Sequence, residues 1–197
     1  MDRTAITHRL AGFPRRALPL DGRRPAAVAL AVVDDGAGPC LLLTRRAAGM
    51  RAHGGQWALP GGRVDDGESA VRAALRELDE ELALQVPEAD VLGLLDDYPT
   101  RSGYLITPVV VWAGPAAGAV PNPDEVASLH VVPLHEVDVD PEFQTIPEST
   151  APVVRVPLLG GWIHAPTAAV LHQFREVALH GRPTRVAHYE QPVFAWR

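Results

Sequence analysis

The chain has 197 residues, enough for one domain of ordinary size with a hydrophobic core. Hydrophobic residues make up 47% and charged residues 21%, which excludes the composition of a disordered chain. The formal net charge of −6 argues against a nucleic-acid-coating protein or one held on an anionic membrane, so we expect neither partner. The single cysteine, Cys40, excludes an internal disulfide and a cysteine zinc site.

The N-terminal segment is mixed and rich in arginine. It lacks the compact apolar stretch and small-residue cleavage site of a signal peptide, and no segment reaches the roughly 18 apolar residues of a membrane span. We therefore expect a cytoplasmic protein. Residues 1–24 are predicted to form an arm or short helix, called the N-terminal arm below, ahead of a single domain at residues 25–197.

Strands and turns dominate the first part of the domain. Apolar runs predict strands at Ala26–Val33 and Cys40–Thr44 around the turn "DDGAG", with Cys40 buried. The glycine-rich segment Ala47–Gly55 is predicted to be a loop, and "QWALPGG" a short strand closed by Pro60 and two glycines.

The second half alternates strands with one clear helix. "VLGLLDD", "YLITPVVVWAG" and "ASLHVVPL" predict strands, whereas "VVRVPLLGGWI" fits either a strand pair or an irregular segment. A helix is predicted from Pro166 to a stop at Gly181, followed by an extended tail. Hairpins together with helices indicate an α/β (α+β) domain with a mixed central sheet.

Between these halves lies a helix, predicted at Glu68–Leu82, with an unusual charge pattern. Glu77, Glu80 and Glu81 are spaced i, i+3, i+4 and so share one face near the helix C-terminus, where the macrodipole disfavours negative charge. Partly buried charges about 4 Å apart would repel by up to about 4 kcal/mol at an effective dielectric of about 20. An apolar stripe on another face predicts packing against a core: Val71, Ala74, Leu75, Leu78 and Leu82.

Two interpretations explain the clustered acids. A hard divalent cation such as Mg²⁺ or Mn²⁺ would remove the repulsion, because it prefers oxygen ligands and keeps positions open for water and phosphates. Alternatively, the acids form a solvated face balanced by Arg72 and Arg76. The turn "PGG" favours the cation, because glycine allows a backbone carbonyl such as that of Gly61 to approach a metal.

The whole run from Gly62 to Leu84 fits the pattern G-x5-E-x7-R-E-U-x-E-E-x-G-U, where U is a bulky aliphatic residue. It resembles the Nudix box, and one position departs from it: Ala83 stands where the family has glycine. If the backbone there has positive φ, alanine would cost about 1 kcal/mol. The resemblance implies a Nudix-type α/β/α sandwich.

The resemblance also implies residue roles. Glu77, Glu80 and Glu81 are the expected metal ligands, Glu77 is a candidate base, and Arg76 and Glu68 form an orienting ion pair. The family cleaves nucleoside diphosphates linked to another group, with a metal that lowers the pKa of water and neutralises phosphate charge. A catalytically silent binding module is the alternative from another functional class, and it is disfavoured because all three box acids remain.

Residues before the box narrow the substrate. "LLLTRRAAGMRAHGGQWALPGG" resembles the coenzyme A pyrophosphatase branch, which implies substrate contacts for Arg46, Arg51, His53 and Gln56. Arginine suits the several phosphates of coenzyme A, although a solvated loop and a histidine bound to backbone are the alternatives. Glu125 is a candidate outer acid near metal or water, or else an acid at a helix N-terminus.

The resulting expectation is hydrolysis of coenzyme A or an acyl derivative to 4′-phosphopantetheine and adenosine 3′,5′-bisphosphate, with Mg²⁺ or Mn²⁺ as cofactor. ADP-ribose, NADH or another nucleoside diphosphate derivative is the alternative substrate. The expected partner is thus a small nucleotide, and the N-terminal arm and the tail "FAWR" are candidate segments for a homodimer interface.

Overall fold

The computed structural model describes residues 1–47 and 55–196. The helices are α1 (Arg3–Ala11), α2 (Ala70–Leu82), α3 (Leu134–Val137) and α4 (Thr167–Phe174). The strands are β1 (Arg24–Asp34), β2 (Pro39–Arg46), β3 (Trp57–Ala58), β4 (Gly61–Arg63), β5 (Val91–Leu94), β6 (Tyr98–Pro99), β7 (Tyr104–Pro115), β8 (Val126–Pro133), β9 (Glu142–Ile146), β10 (Ser149–Leu158) and β11 (Gly161–His164). A π-helical turn, Arg175–Leu179, continues α4, and 3₁₀ turns lie at Glu88–Asp90, Ala116–Gly118 and Val193–Ala195.

Two sheets organise these strands. The larger has eight strands with the central order β3-β2-β1-β7-β5, while β4, β6 and β8 pair with β1, β7 and β2. The pairing of β1 with β7 is parallel and the other pairings are antiparallel, so this sheet is mixed, as predicted. The smaller sheet is antiparallel with the order β11-β10-β9.

Strand β1 divides the core because side chains alternate between the two faces of a sheet. Its alternate residues from Ala27 to Val33 join a cluster with α2, to which the helix contributes Ala73, Ala74, Leu78 and Leu82. Leu30 and Val32 point to the opposite face and join a cluster that includes residues of α1, α4 and β10. The large sheet therefore lies between helical layers, and the predicted α/β/α sandwich is confirmed.

The N-terminal arm is part of the core on the α4 side. Helix α1 buries Ile6 and Leu10, and Phe13 just beyond it is also buried. Arg9 donates hydrogen bonds to the carbonyl oxygens of Ala178, at 3.1 Å, and Leu179. The arm is thus anchored to the far end of the chain, while its proposed contribution to a dimer stays a prediction. None of the helices in the described ranges is long and apolar enough to cross a membrane.

Several element boundaries differ from the sequence prediction. Helix α2 begins two residues later than predicted because Ser69 is its N-cap, with Oγ accepting from the N–H of Arg72 at 3.2 Å. The ambiguous segment "VVRVPLLGGWI" forms a strand pair in β10 and β11. Strand β9 was not predicted, and most of its residues are exposed, so it lacks the alternating apolar pattern of a half-buried strand. The tail contains a 3₁₀ turn where an extended segment was predicted.

Helix α2 ends at Ala83 in the left-handed conformation, with φ 54° and ψ 29°. The N–H of Ala83 donates to the carbonyl of Asp79 at 2.9 Å, and the N–H of Leu84 donates to the carbonyl of Leu78 at 3.2 Å. Because glycine adopts this conformation without a side-chain penalty, Ala83→Gly is expected to raise the free energy of unfolding by up to about 1 kcal/mol. Urea unfolding measures it. The matched control Ala5→Gly within α1 should lower stability by roughly 0.5–1 kcal/mol, and an equal loss in both variants would contradict the prediction.

Candidate active site

The acidic helix is joined to the sheet by a tight glycine approach. Gly61 in β4 pairs with Val28 of β1, and a Cβ on Gly61 would lie 2.4 Å from the carbonyl oxygen of Ala27. Only glycine therefore allows β4 to approach β1 this closely. The apolar stripe of α2 packs on the same sheet, so the start of the loop and the helix are fixed relative to each other.

Arg76 is the centre of the polar network. It contacts Glu68 through Nε and Nη2, each at 3.1 Å, and donates through Nη2 to the carbonyl of Arg63 at 2.9 Å. Its Nη1 donates to Glu77 at 2.9 Å and to Glu80 at 3.1 Å. The hydrogen bond from Arg76 holds the pKa of Glu68 below its ordinary value, although partial desolvation opposes this. The predicted pair of Arg76 and Glu68 is thus present and ties the loop after β4 to the helix.

The three box acids occupy different environments. The Glu80 side chain is 53% exposed, whereas Glu77 and Glu81 are buried, with side-chain exposures of 11% and 3%. The pKa of Glu81 is raised to about 7, chiefly by burial and also by the charges of Glu77 and Glu125, against the lowering effects of Arg46 and the N–H of Gly61. The Arg46 guanidinium lies 4.0 Å from the Glu81 carboxylate. A buried acid with so distant a cation is incompletely neutralised.

The surroundings of Glu77 likewise disfavour its ionised form. Burial raises its pKa, the hydrogen bond and charge of Arg76 lower it, and the charges of Glu80 and Glu125 raise it again. Its carboxylate lies over Gly62, where a Cβ would come within 2.1 Å of Oε1. The mutual repulsion expected from the sequence is therefore present among these acids.

These residues fit a hard divalent cation by their chemistry, because every candidate ligand is an oxygen and two of the carboxylates are buried with raised pKa values. No three acidic, histidine or cysteine side chains in residues 1–47 and 55–196 converge at metal-binding distances. Arg76 Nη1 donates hydrogen bonds to one carboxylate oxygen each of Glu77 and Glu80. Glu77, Glu80 and Glu81 with the Gly61 carbonyl remain the predicted ligand set.

Glu125 approaches the buried acids from a separate loop. It lies in a turn directly before β8, so the alternative that it begins a helix is wrong. Its carbonyl oxygen accepts from the N–H of Ala47 at 2.8 Å, and the nearby N–H of Asn122 donates to the carbonyl of Glu81 at 2.8 Å. Its charge contributes to the raised pKa of both Glu77 and Glu81.

A cavity of about 560 Å³ adjoins this region, and both Gly61 and Gly62 line it. Two of the predicted substrate residues, Arg46 and Gln56, also line it, whereas Arg51 and His53 lie outside the described residues. Sequence reasoning missed three further cavity residues, Arg24, Arg63 and Tyr104.

These three side chains form one group. The Arg24 guanidinium lies 4.1 Å from the centre of the Tyr104 ring, and Arg63 Nε donates to the Tyr104 hydroxyl at 3.2 Å. The three residues come together through the pairing of β1 with β4 and β7, which places Arg63 opposite Ala26 and Arg24 opposite Tyr104. The cavity therefore carries arginine side chains next to the acidic helix, a combination suited to phosphates held beside a cation.

The sequence model of the NUDIX domain matches residues 22–154. The chain belongs to the Nudix family. The acidic helix, the glycine turn and Arg76 all lie within the matched region, so the resemblance of the Nudix box is confirmed at the level of the family. The segment from residue 155 onward, which contains α4 and the tail, lies beyond the match.

Relatives carry the same family name. The chain is 41% identical over 125 residues to an uncharacterized Nudix hydrolase, NudL, of Pectobacterium atrosepticum, covering 63% of this chain and 65% of the relative. It is 46% identical over 102 residues to the NudL of Yersinia pestis, covering 50% of each. The matches thus span between half and about 65% of these curated relatives. Among solved structures, the Nudix hydrolase RenU from M. smegmatis has 29% identity and a TM-score of 0.45, over 59% of this chain and 74% of that one.

Gly62→Ala tests whether the Nudix turn positions Glu77. The added Cβ would displace the flexible carboxylate of Glu77, so the hydrolysis expected from the resemblance to the Nudix box should fall roughly 10- to 100-fold while the fold is retained. Steady-state kinetics and thermal unfolding measure the two effects. Gly161→Ala is the matched control, because no atom lies within 4 Å of the added Cβ there. Unchanged activity in the Gly62 variant would contradict a positioning role for this contact.

Proposed function

We propose that this Nudix protein hydrolyses the pyrophosphate bond of a nucleoside diphosphate derivative, with coenzyme A or an acyl-coenzyme A as substrate. The observation that carries the proposal is a pair of buried, mutually repelling carboxylates, Glu77 and Glu81, beside an arginine-lined cavity. Such carboxylates gain most from a bound divalent cation, and the arginines are suited to phosphate oxygens.

The proposed reaction adds water across one phosphorus–oxygen bond. The water oxygen attacks one phosphorus, the bond to the bridging oxygen breaks, and two phosphate monoesters result: 4′-phosphopantetheine and adenosine 3′,5′-bisphosphate. Glu77 is the proposed acceptor of the water proton, and its raised pKa brings it closer to the operating pH of a general base. Arg46 orients the substrate from the cavity wall. The pair of Arg76 and Glu68 keeps the loop after β4 fixed relative to helix α2.

A bound Mg²⁺ or Mn²⁺ would supply charge neutralisation for the diphosphate and a lower pKa for the attacking water. Glu77, Glu80, Glu81 and the Gly61 carbonyl would hold it. Glu125 is the proposed outer acid, because its charge already acts on Glu77 and Glu81.

The coenzyme A assignment is supported by the residues that match that branch. Thr44 and Arg46 lie in β2, where the hydroxyl of Thr44 donates to the carbonyl of Ala58 at 3.2 Å and so joins β2 to β3. Gln56 lines the cavity, and Arg51 and His53 belong to the same motif outside the described residues. The 3′-phosphate of coenzyme A would gain from these additional cations.

A substrate panel with Mg²⁺ or Mn²⁺ tests the proposal. It compares coenzyme A, an acyl-coenzyme A, 3′-dephospho-coenzyme A, ADP-ribose and NADH. The measured products are the two phosphate monoesters that each substrate releases. We expect the highest kcat/KM for the 3′-phosphorylated compounds. Equal values with and without the 3′-phosphate would overturn the coenzyme A assignment, and preference for ADP-ribose or NADH would establish the alternative substrate. Absence of hydrolysis throughout the panel would overturn the proposed reaction.

A further inference from the structure

One wall of the cavity comes from the part of the chain beyond the family match. Arg24, Arg46 and Arg63 line it from within residues 22–154. A second set of lining residues comes from the start of α4 and from the tail, and we call it the C-terminal wall: Pro166, Thr167, Val170, Gln191 and Ala195. The cavity is therefore completed by residues that lie beyond the family match.

Hydrogen bonds hold the C-terminal wall against the Nudix domain. Thr167 Oγ1 donates to the carbonyl of Trp57 at 3.3 Å, which attaches the start of α4 to β3. The Tyr98 hydroxyl donates to the carbonyl of Tyr189 at 2.9 Å, two residues before Gln191. These contacts fix the wall at two separate points, so it is pre-formed rather than assembled by a ligand.

The tail next to Gln191 is attached just as firmly. The N–H of Glu190 donates to the carbonyl of Pro152 at 2.9 Å, and its carboxylate forms an ion pair with Arg101. The N–H of Gln191 donates to that carboxylate at 2.8 Å, while its carbonyl accepts from Trp196 Nε1 at 2.8 Å. The position of Gln191 is thus determined by its own backbone contacts.

The chemistry of the C-terminal wall differs from that of the arginine side. All five of its side chains are uncharged, and three are apolar. Gln191 is only 2% exposed, and its Oε1 has no hydrogen-bond partner in the described part of the chain. A buried acceptor without a partner retains its full desolvation cost. The terminal torsion of a glutamine amide is soft, so the group can turn to accept from an N–H in the cavity.

We infer that the C-terminal wall recognises the uncharged arm of the substrate beyond its diphosphate, and that this arm carries amide N–H groups and apolar carbons. Gln191 accepts a hydrogen bond from an amide of the arm, while Val170 and Ala195 contact its carbons. The diphosphate then lies toward the arginines and the acidic helix. This inference rests on the proposed function and assigns substrate specificity to residues beyond the family match.

Two variants test the wall in the full-length protein. Gln191→Leu removes the acceptor at similar size, and Ala195→Leu adds volume at the cavity surface. KM and kcat are compared for coenzyme A, whose pantetheine arm carries amides, and for ADP-ribose, whose arm is a sugar. We expect KM for coenzyme A to rise about tenfold in each variant, with kcat and the KM for ADP-ribose changed less than threefold. Val193→Leu is the control, because Val193 lies on the same 3₁₀ turn and is 44% exposed.

Binding without turnover separates this inference from the proposed reaction. Calorimetry with coenzyme A in the presence of a chelator should show the same tenfold weakening in Gln191→Leu. Binding that depends on Gln191 in a protein that hydrolyses nothing would overturn the reaction and support the wall. The proposed role of the C-terminal wall would be overturned by any of three results. These are unchanged binding, an equal loss for both substrates, and no binding of coenzyme A by the unmodified protein. Thermal unfolding should differ little, because Gln191→Leu removes an unpaired buried acceptor and replaces it with a side chain of similar size.

Discussion

Glu81→Gln is expected to lower kcat on the order of 10³-fold while leaving the protein folded. Glu81 is the most buried of the box acids, with a side chain 3% exposed, and Arg46 is its only ion-pair partner among the described residues, at 4.0 Å. The amide keeps the shape of the side chain but removes the negative charge that a divalent cation would bind. Loss of a direct ligand should exceed the 10- to 100-fold effects typical of residues that only orient ligands.

Steady-state kinetics with Mg²⁺ measure the change in kcat, and thermal unfolding in the presence of a chelator measures the change in stability. Burial raises the pKa of Glu81 to about 7, so the charged form opposes folding near neutral pH, and the uncharged amide should not lower the melting temperature. Glu88→Gln is the matched control, since Glu88 is exposed and pairs with Arg72 at the surface. Activity within threefold of the unmodified protein would remove Glu81 from the ligand set.

Asp96→Ala should lower the free energy of unfolding by about 3–5 kcal/mol. Asp96 is 3% exposed and joins three distant parts of the chain. Its carboxylate accepts from the N–H of Arg16 at 2.6 Å, from Gln173 Nε2 at 2.9 Å and from Arg185 Nη1 at 2.9 Å. Removing it leaves these donors without their acceptor and the Arg185 charge without its partner, and unpaired buried groups retain their full desolvation cost.

Urea unfolding followed by far-UV circular dichroism measures the loss. Asp66→Ala is the control, because Asp66 is exposed and surface substitutions usually change stability by less than about 0.5 kcal/mol. A loss below about 1 kcal/mol in the Asp96 variant would show that the network contributes little. The metal-site variants should be unaffected by this network, so the two predictions are independent.

Local patterns carried the parts of the structure that were predicted correctly. Helix α2 follows from its apolar stripe, and β1 follows from its apolar run before a turn. The pair of Arg76 and Glu68 was implied by the resemblance to the Nudix box. In each case the residues that interact are close in sequence or belong to one regular element.

Contacts between distant residues account for what was missed. Asp96 meets Gln173 and Arg185 across 77 and 89 positions, so no local pattern contains the network. The exposure of Glu80 was also missed, because spacing on a helix places side chains on a face but does not say what covers that face. Likewise, Gln191 becomes a cavity residue through the contacts of the neighbouring tail residues with Tyr98 and Pro152.

The attachment of Arg9 to Ala178 has a consequence for biosynthesis, because the two residues are 169 positions apart. At roughly 5–20 residues per second, the ribosome needs about 10–30 s to add the partner of the first helix. During that interval the apolar side chains of Ile6, Leu10 and Phe13 are without their final neighbours. These residues therefore expose apolar surface during much of translation, and chaperones bind segments of this kind.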